Sequence, residues 1–189
     1  MISFLEDIDQ KLFLFLNGLH QPWLDQPMYV MTDKLTWIPI YLLLIFMIKR
    51  AYNWRVVLWI LLGVAVVVTL CDRISVELFK NVFERYRPSR NHDLAEMVHI
   101  VNGYRGGLYG FVSSHATNFF GVATLVFLVL NKKLTKPPYW IFIWAGLISY
   151  TRIYLGVHYP ADIVCGGILG FAIGWGVYRI LNHYILKKA

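Results

Sequence analysis

Long apolar segments recur along most of this chain, and they constrain its fold more than any other feature. Of the 189 residues, 58% are hydrophobic and 15% are charged, whereas soluble domains usually carry about 25% charged residues. A run of about 20 apolar residues can cross a bilayer as a helix, because a helix satisfies its own backbone hydrogen bonds. The pattern therefore predicts an all-α, integral membrane helical bundle.

The apolar runs predict about five transmembrane helices. Several runs fall short of the roughly 20 residues that cross a bilayer comfortably, so these helices must recruit interfacial residues or lean on their neighbours. The chain length leaves little room for a separate soluble module, and we predict a single membrane-embedded domain over residues 1–189. The predicted spans cover residues 27–48, 54–70, 114–130, 139–150 extended at either end, and 161–181.

The N-terminal segment, residues 2–19, places apolar residues at helical spacing and acidic residues largely on the other face. This pattern predicts an amphipathic helix lying in the membrane interface. A soluble helix packed on its neighbours is the alternative. The segment lacks the positive n-region and cleavage site of a signal peptide, so we expect it to be retained.

The formal net charge is +7, but the basic residues are scattered between apolar segments. Nucleic acid is therefore a poor partner, whereas phospholipid head groups and the bilayer suit this distribution. The two cysteines, Cys71 and Cys165, have no paired spacing, which indicates neither a disulfide framework nor a zinc site. The sequence does not predict an oligomeric state.

One long polar connection, residues 80–111, opens with a Lys-x6-Arg-Pro pattern. On a helix, Lys80 and Arg87 lie two turns apart on the same face. Pro88 disfavours a helix that continues through Arg87. The Arg87 guanidinium is therefore expected at a helix end, where it is free to bind an anion. A head-group-binding surface is the alternative reading of the basic residues here: Lys80, Arg85, Arg87 and Arg90.

The connection returns to the membrane through Ser113, Ser114 and His115, just before an apolar run. Ser113 or Ser114 is a natural N-cap, and the N-terminus of the following helix would present free N–H groups to a phosphate. His115, in the first turn, could donate a proton to a leaving oxygen. A lone histidine at this position is otherwise an ordinary interfacial residue.

A third polar cluster contains Arg152, His158 and Asp162, with Pro160 suited to an early helical position. On a continuous helix, the four-residue spacing would place the Asp162 carboxylate beside the His158 imidazole. The carboxylate could then fix the imidazole tautomer and leave the other nitrogen available as a nucleophile. A structural His–Asp pair closing a helix is the alternative.

Together the three clusters resemble the signature of the type-2 phosphatidic acid phosphatase superfamily, from Lys80 to Asp162. That signature reads Lys-x6-Arg-Pro, then Pro-Ser-Gly-His, then Ser-Arg-x5-His-x3-Asp. This chain has Val112 and Ser114 where the family usually has proline and glycine, and Thr151 where it usually has serine. Because serine meets a need for positive φ less easily than glycine, Ser114 puts the phosphate-pocket geometry in question.

The resemblance implies metal-independent hydrolysis of a lipid phosphomonoester or diphosphate, without a cofactor, through a phosphohistidine intermediate. It assigns His158 as nucleophile, Asp162 as its support and His115 as proton donor. It also assigns the phosphate-binding groups Lys80, Arg87, Ser113, Ser114 and Arg152.

The substrate could be undecaprenyl diphosphate, phosphatidylglycerophosphate, phosphatidic acid or a lipid A phosphate, and the motifs do not choose among them. The related vanadium haloperoxidases share the anion-binding motifs, but their soluble helical bodies do not fit this apolar chain. A catalytically silent lipid-binding or lipid-transport protein is the alternative from another class.

The connections outside the site predict the orientation of the chain in the bilayer. Lysine and arginine are enriched in cytoplasmic loops, and in a five-span arrangement three basic clusters share one side. The polar connection would then face outward, which in a bacterium is the periplasmic side of the inner membrane. The three clusters are Lys49, Arg50 and Arg55; Lys132, Lys133 and Lys136; and Lys187 and Lys188.

Overall fold

The structure, a computed structural model, describes residues 2–94 and 96–188. The predicted domain, 1–189, reaches one residue beyond the described residues at each end, and its unity stays a prediction. The described residues are mainly helical, and one isolated antiparallel bridge joins Tyr86 to Tyr109. The α-helices are α1 (Ile2–Gly18), α2 (Pro22–Met31), α3 (Ile38–Ala51), α4 (Trp54–Ile74), α5 (Asn81–Phe83), α6 (Ser114–Asn131), α7 (Trp140–Tyr154) and α8 (Pro160–Tyr184).

Helix α4 is capped at its start, and at its end the chain continues through about two further helical turns. The Asn53 side chain accepts a hydrogen bond from the Val56 N–H at 3.1 Å, which caps the N-terminus. At the other end the backbone widens into a π-helix over Ser75–Lys80 and then passes into α5. The helix ends at Glu84, whose φ of 46° is left-handed. π-helical turns inside helices often mark functional sites.

Helices α6 and α8 approach each other closely because glycine recurs every four residues on α8, at Gly166, Gly170 and Gly174. A Cβ added at Gly166 would lie 2.7 Å from the Ser113 carbonyl oxygen, and one at Gly170 would lie 2.9 Å from the Gly121 nitrogen. Small residues allow such backbone contact between membrane helices. The stripe holds the N-termini of α6 and α8 side by side.

The count of five spans is not confirmed. Three helical segments are long and apolar enough to cross a membrane: Trp54–Phe83, Ser114–Asn131 and Pro160–Tyr184. The pair Pro22–Met31 and Lys34–Ala51 passes the same test only together, and it bends by 76°. Helix α7 has 15 residues, about 22 Å of helix, which is short of the hydrocarbon thickness.

Helix α1 is amphipathic, as predicted, and it also packs on the bundle. Phe13 is fully buried and meets the Tyr159 ring edge-on, with 5.4 Å between centroids. The opposite face is apolar and exposed, and a bilayer is the natural cover for a face of this composition. That face contains Phe4, Leu5, Ile8, Leu12, Phe15 and Leu19.

Candidate active site

The N-termini of α6 and α8 are hydrogen-bonded to each other, which brings the polar cluster around Ser113 next to the cluster around Asp162. Ser113 is the N-cap of α6, as the sequence suggested, and its hydroxyl accepts a hydrogen bond from the Ala116 N–H at 3.4 Å. Its backbone N–H donates to the Asp162 carbonyl at 3.0 Å, in the first turn of α8. The free N–H groups of α6 therefore lie beside the His158–Asp162 segment, and helix N-termini of this kind favour anions.

His158 and Asp162 are in contact although they do not share one continuous helix. His158 precedes the N-cap Tyr159, and its Nδ1 lies 3.2 Å from Asp162 Oδ2. The same carboxylate oxygen accepts the Tyr159 N–H at 3.0 Å, so it caps α8 while it contacts the imidazole. A carboxylate accepts only, which assigns the proton to Nδ1 and leaves Nε2 unprotonated, as an acceptor.

The Nε2 atom of His158 faces Arg87. Arg87 Nη1 lies 3.0 Å from Nε2 and donates to it, since a guanidinium has no acceptor. The His158 side chain is 2% exposed. Burial lowers the pKa of His158 well below its ordinary value, and the nearby charges of Arg87, Arg152 and Lys80 act in the same direction. The neutral form of the imidazole is therefore favoured.

Arg87 is held from several directions in an extended stretch of chain. Its Nε donates to the Tyr109 carbonyl at 3.1 Å and its Nη1 to the Val157 carbonyl at 3.2 Å. Gly106, at φ 63°, packs against it so closely that an added Cβ would lie 2.9 Å from Nη1. Burial, followed by the charge of Arg152, lowers the pKa of Arg87 to about 10, so the guanidinium remains cationic at neutral pH.

The expectation that Lys80 and Arg87 share one helical face is wrong. The helix ends at Glu84, and Arg87 has the extended φ and ψ of −67° and 155°. Lys80, by contrast, ends the π-helix. The seven-residue spacing therefore joins a helix to a loop.

Ser114 contributes its side chain to the site. Its φ is not positive, because it is the first residue of α6 and adopts helical geometry. Its Oγ accepts a hydrogen bond from Lys80 Nζ at 2.6 Å and lies 2.7 Å from the Ser75 hydroxyl. Since Ser75 donates to the Asp72 carbonyl at 3.1 Å, the proton between the two hydroxyls comes from Ser114. The residue that departs from the family signature thus fixes the ammonium of Lys80.

Arg152 is buried and reaches across to residues far away in the sequence. Its Nη1 donates to Thr32 Oγ1 at 2.6 Å and its Nη2 to the Tyr104 hydroxyl at 3.0 Å. Burial acts to raise the pKa of Tyr104, but the charge of Arg152, its hydrogen bond to the hydroxyl and the charge of Arg87 together outweigh burial and lower that pKa. The buried Nε of Arg152 has no hydrogen-bond partner among the described residues.

His115 lies on the first turn of α6, next to Ser114. Its ring packs against Phe119 with 5.1 Å between centroids. Its buried Nε2, like Arg152 Nε, has no hydrogen-bond partner within the described part of the chain. Buried polar atoms are rarely left unpaired, and when they are, a functional role or a missing ligand is a usual reason.

All eight site residues predicted from the sequence thus lie at one end of the bundle. Direct hydrogen bonds link Arg87 to His158, His158 to Asp162, and Asp162 to Ser113. Lys80 binds Ser114, which precedes His115, and the Arg152 carbonyl accepts the His158 N–H at 3.2 Å. Across residues 2–94 and 96–188, no group of three or more His, Cys, Asp or Glu side chains is arranged to hold a metal ion.

A family model of the PAP2 superfamily matches residues 54–185, which include all of these residues. The chain belongs to the PAP2 superfamily. It is an integral membrane protein of that superfamily, with the membrane-spanning helices described above.

Two PAP2 relatives are similar over nearly the whole chain. It is 40% identical to a lipid A 4'-phosphatase of Bacteroides thetaiotaomicron, over 96% of this chain and 80% of the relative. It is 34% identical to a lipid A 4'-phosphatase of Porphyromonas gingivalis, over 95% of this chain and 75% of the relative.

The PAP2 fold is also found in a solved structure. The transmembrane PAP2-type phosphatidylglycerolphosphate phosphatase of Bacillus subtilis superposes with a TM-score of 0.70 and 21% identity, covering 95% of this chain and 87% of that one. This likeness supports the helical membrane architecture.

An apolar cavity of about 270 Å³ lies beside the PAP2 site. Phe119 connects the two, because its ring packs against His115 and also lines the cavity. The walls come from α3, α4, α6 and α7, with Lys34 and Asn118 among otherwise apolar side chains. The cavity therefore offers an apolar space next to His115.

Several polar residues that bind the predicted site residues, directly or through one another, were not predicted as members of the site. Among them, Thr32 and Tyr104 bind Arg152, while Arg85 binds both Asp162 and Asp9. Arg85 carries a signal, because it lies inside the first motif, two residues before Arg87. The other three lie outside the motifs. Nothing in their local sequence separates them from ordinary polar residues of helices and loops.

Proposed function

We propose that this lipid phosphatase transfers the phosphoryl group of a membrane lipid to Nε2 of His158 and then to water. The observation that carries the proposal is the orientation of His158. Its Nδ1 is held by Asp162 and its Nε2 points at the Arg87 guanidinium, where an anion would bind. A neutral, oriented imidazole beside fixed cations suits nucleophilic attack on phosphorus.

In the first step, the Nε2 lone pair forms a P–N bond while the P–O bond to the lipid breaks. His115 donates a proton to the departing oxygen. Asp162 stabilises the positive charge that forms on the His158 ring. In the second step, His115 takes a proton from water, the water oxygen attacks phosphorus, and the P–N bond breaks to release inorganic phosphate.

Three cations would hold the phosphoryl oxygens during both steps: Lys80, Arg87 and Arg152. Arg87 Nη1, which donates to Nε2, can turn to a phosphoryl oxygen when phosphorus takes its place in line with Nε2. The free N–H groups at the start of α6, near Ser113 and Ser114, add fixed donors. Such preorganised donors stabilise the charge of a phosphoryl-transfer transition state without a reorganisation cost.

We further propose that the substrate is a lipid A molecule carrying a 4'-phosphate. The identities of 40% and 34% to two lipid A 4'-phosphatases, each over most of both chains, favour it. The apolar cavity beside His115 could accept part of an acyl chain. Undecaprenyl diphosphate, phosphatidylglycerophosphate and phosphatidic acid are the competing substrates.

A substrate panel tests the proposal. The purified protein in lipid nanodiscs is assayed for phosphate release from the four lipids, and the highest kcat/KM is expected for the 4'-phosphorylated lipid A. Rapid acid quenching at low pH destroys phosphohistidine, so the intermediate is trapped in alkali with a radiolabelled phosphoryl group. Label should be found on wild-type protein and not on His158→Ala. No phosphate release from any of the four lipids would leave the silent lipid-binding protein as the better description.

We propose that the site faces the periplasm. Helices α4, α6 and α8 all have one end at the site, and the basic clusters at positions 49–55, 132–136 and 187–188 follow or precede their other ends. The positive-inside rule then favours a cytoplasmic location for those ends. The test is labelling of Asn91→Cys and Asn131→Cys in intact cells, in a background without Cys71 and Cys165. An impermeant reagent should label position 91; labelling of position 131 alone would reverse the orientation.

A further inference from the structure

Asp9 is a buried carboxylate on a helix whose other acidic residues are exposed. It lies on α1 with 8% of its surface accessible. Its neighbour Asp7 is exposed and pairs with Lys11 at 2.7 Å, in the manner of a surface ion pair. A carboxylate is rarely buried unless it is paired and hydrogen-bonded, so the partners of Asp9 are informative.

Asp9 contacts the back of the proposed active site with both of its oxygens. Its Oδ2 accepts a hydrogen bond from Arg85 Nη2 at 2.8 Å. Its Oδ1 accepts the Ala161 N–H at 2.8 Å, at the start of α8. One carboxylate thus joins the interfacial helix both to the first motif and to the helix that contains Asp162.

Arg85 carries the connection on to the His158–Asp162 pair. Its Nη1 donates to Asp162 Oδ1 at 3.0 Å, leaving Oδ2 for His158 and the Tyr159 N–H. Its guanidinium also lies over the Tyr159 ring, 4.1 Å from the centroid. The result is a chain of alternating charges, Asp9, Arg85 and Asp162, that ends on Nδ1 of His158.

We infer that Asp9 and Arg85 are positioning residues that set the Asp162 carboxylate, and through it the Nε2 direction of His158. The inference rests on the proposed phosphohistidine mechanism. An arginine side chain has many rotamers, and a guanidinium bonded only to Asp162 could follow movements of that carboxylate. Because Asp9 binds the second terminal nitrogen of the guanidinium, Arg85 holds the Asp162 carboxylate at one angle. Asp9 lies well before residues 54–185, which the family model matches.

The charge of Asp9 can be removed without removing its shape. Asp9→Asn keeps an oxygen that can accept the Ala161 N–H, but it loses the ion pair with Arg85. Neither Asp9 nor Arg85 lies among the groups proposed to bind phosphate, so KM should stay within about twofold, while kcat falls about 10-fold because the imidazole is less well aligned. Asp7→Asn, on the exposed face of the same helix, is the matched control and should behave as wild type.

A comparison of two substrates distinguishes a role of Asp9 in positioning His158 from a role in holding α1 in the bilayer. If Asp9 aligns His158, then Asp9→Asn loses the same factor of about 10 on the lipid phosphate and on the water-soluble para-nitrophenyl phosphate. If Asp9 merely seats α1 in the bilayer, the loss is confined to the lipid and appears in KM. That second pattern would overturn the inference.

A double-mutant cycle tests the connection itself. Arg85→Gln should lower kcat about 100-fold, since it frees Asp162 Oδ1. Adding Asp9→Asn to Arg85→Gln should change kcat by less than about twofold, because the path from Asp9 is already cut. Independent losses that multiply in the double variant would overturn the inference, as would wild-type kcat in Asp9→Asn.

Folding and the proposed mechanism are controlled in the same preparations. Thermal unfolding and vanadate binding report whether each variant is folded with an intact anion site, and Asp9→Glu, which keeps the charge, should recover part of the kcat lost in Asp9→Asn. If kcat falls only in proportion to the folded fraction, Asp9 is structural and the inference fails. Wild-type protein without turnover, or turnover by His158→Ala, would overturn the proposed mechanism and this inference together.

Discussion

The two sides of His158 differ in how completely their polar groups are paired. On the Nδ1 side, Asp162 receives hydrogen bonds from Arg85, from the Tyr159 N–H and from the imidazole. On the Nε2 side, the imidazole contacts Arg87, and two other buried atoms of the site, Arg152 Nε and His115 Nε2, have no partner among the described residues. A buried unpaired group costs about 1–3 kcal/mol, so the unpaired atoms mark where the substrate is expected to bind. In the proposed mechanism, the paired side orients the His158 nucleophile and the unpaired side binds the phosphate.

The strongest test of this comparison removes the residue between the two sides. His158→Ala leaves no nearby side chain able to replace the imidazole, and kcat on a lipid phosphate should fall by at least about 10⁵-fold. His183→Ala, at the exposed end of α8 away from the site, is the control and should leave kcat unchanged. Substantial turnover by the His158 variant would refute its assignment as nucleophile.

The next largest effect is expected on the paired side. In Asp162→Asn, a neutral amide replaces the carboxylate that contacts Nδ1 of His158, so the positive charge that forms on the imidazole is less well stabilised. We expect kcat to fall about 10³- to 10⁴-fold while weak activity remains. Vanadate affinity, which depends on the opposite side, should change little. The measurement is steady-state kinetics together with vanadate inhibition. A large loss of vanadate affinity would show that the two sides are not separable.

A smaller loss is expected on the unpaired side. Arg152→Lys keeps the positive charge but removes Nε and the fork, so kcat/KM should fall about 100-fold and vanadate should bind more weakly. Arg179→Lys, exposed on α8, is the matched control. If the Arg152 variant loses kcat/KM without losing vanadate affinity, Arg152 does not hold the phosphate.

Ser114 extends the comparison, because its hydroxyl accepts a hydrogen bond from Lys80, one of the cations proposed to bind phosphate. Ser114→Gly restores the family's usual residue but removes the acceptor for Lys80, and kcat/KM should fall about 3- to 10-fold, the value of one hydrogen bond. Ser75→Ala, which keeps that acceptor, should lose less. A glycine variant faster than wild type would mean that the hydroxyl hinders the site.

The smallest effect concerns pH. In the proposed mechanism His158 attacks only when neutral, and the pKa of His158 is lowered by burial and by the neighbouring cations. As pH falls, protonation of the nucleophile therefore begins only below the usual imidazole pKa of about 6.5. The acid limb of kcat/KM should lie below that value in a profile measured on the wild-type protein. A limb at or above it would contradict a neutral, buried His158.

The parts of the site that were predicted from the sequence are the local ones. Ser113 as N-cap depends on the residues that follow it, and the His158–Asp162 contact spans four positions that are constrained by one helix start. The helical membrane architecture was equally predictable, because it depends on composition and run length. Such features need only neighbours in the sequence.

The missed features depend on distant contacts or on a local break in the backbone. Thr32 reaches Arg152 from 120 positions away, and Asp9 reaches Arg85 from 76. Glu84, in the left-handed conformation, ends the helix between Lys80 and Arg87. Left-handed residues are usually glycine, asparagine or aspartate, so a glutamate gives no signal of this break in the sequence. The count of five spans stays a prediction, since it depends on extending the apolar run of α7 into its flanking residues.

The glycine stripe of α8 has a thermodynamic consequence. It brings α6 and α8 together with both helices starting at the site, so that the positive ends of two parallel helix dipoles lie side by side. The α8 end is capped by the carboxylates of Asp162 and Asp9, whereas the α6 end is capped by the neutral hydroxyl of Ser113. An oxyanion that binds at the α6 end would supply the negative charge that its hydroxyl cap lacks. Phosphate or vanadate should therefore raise the melting temperature, and added salt should reduce that rise because it screens the charges at the helix ends.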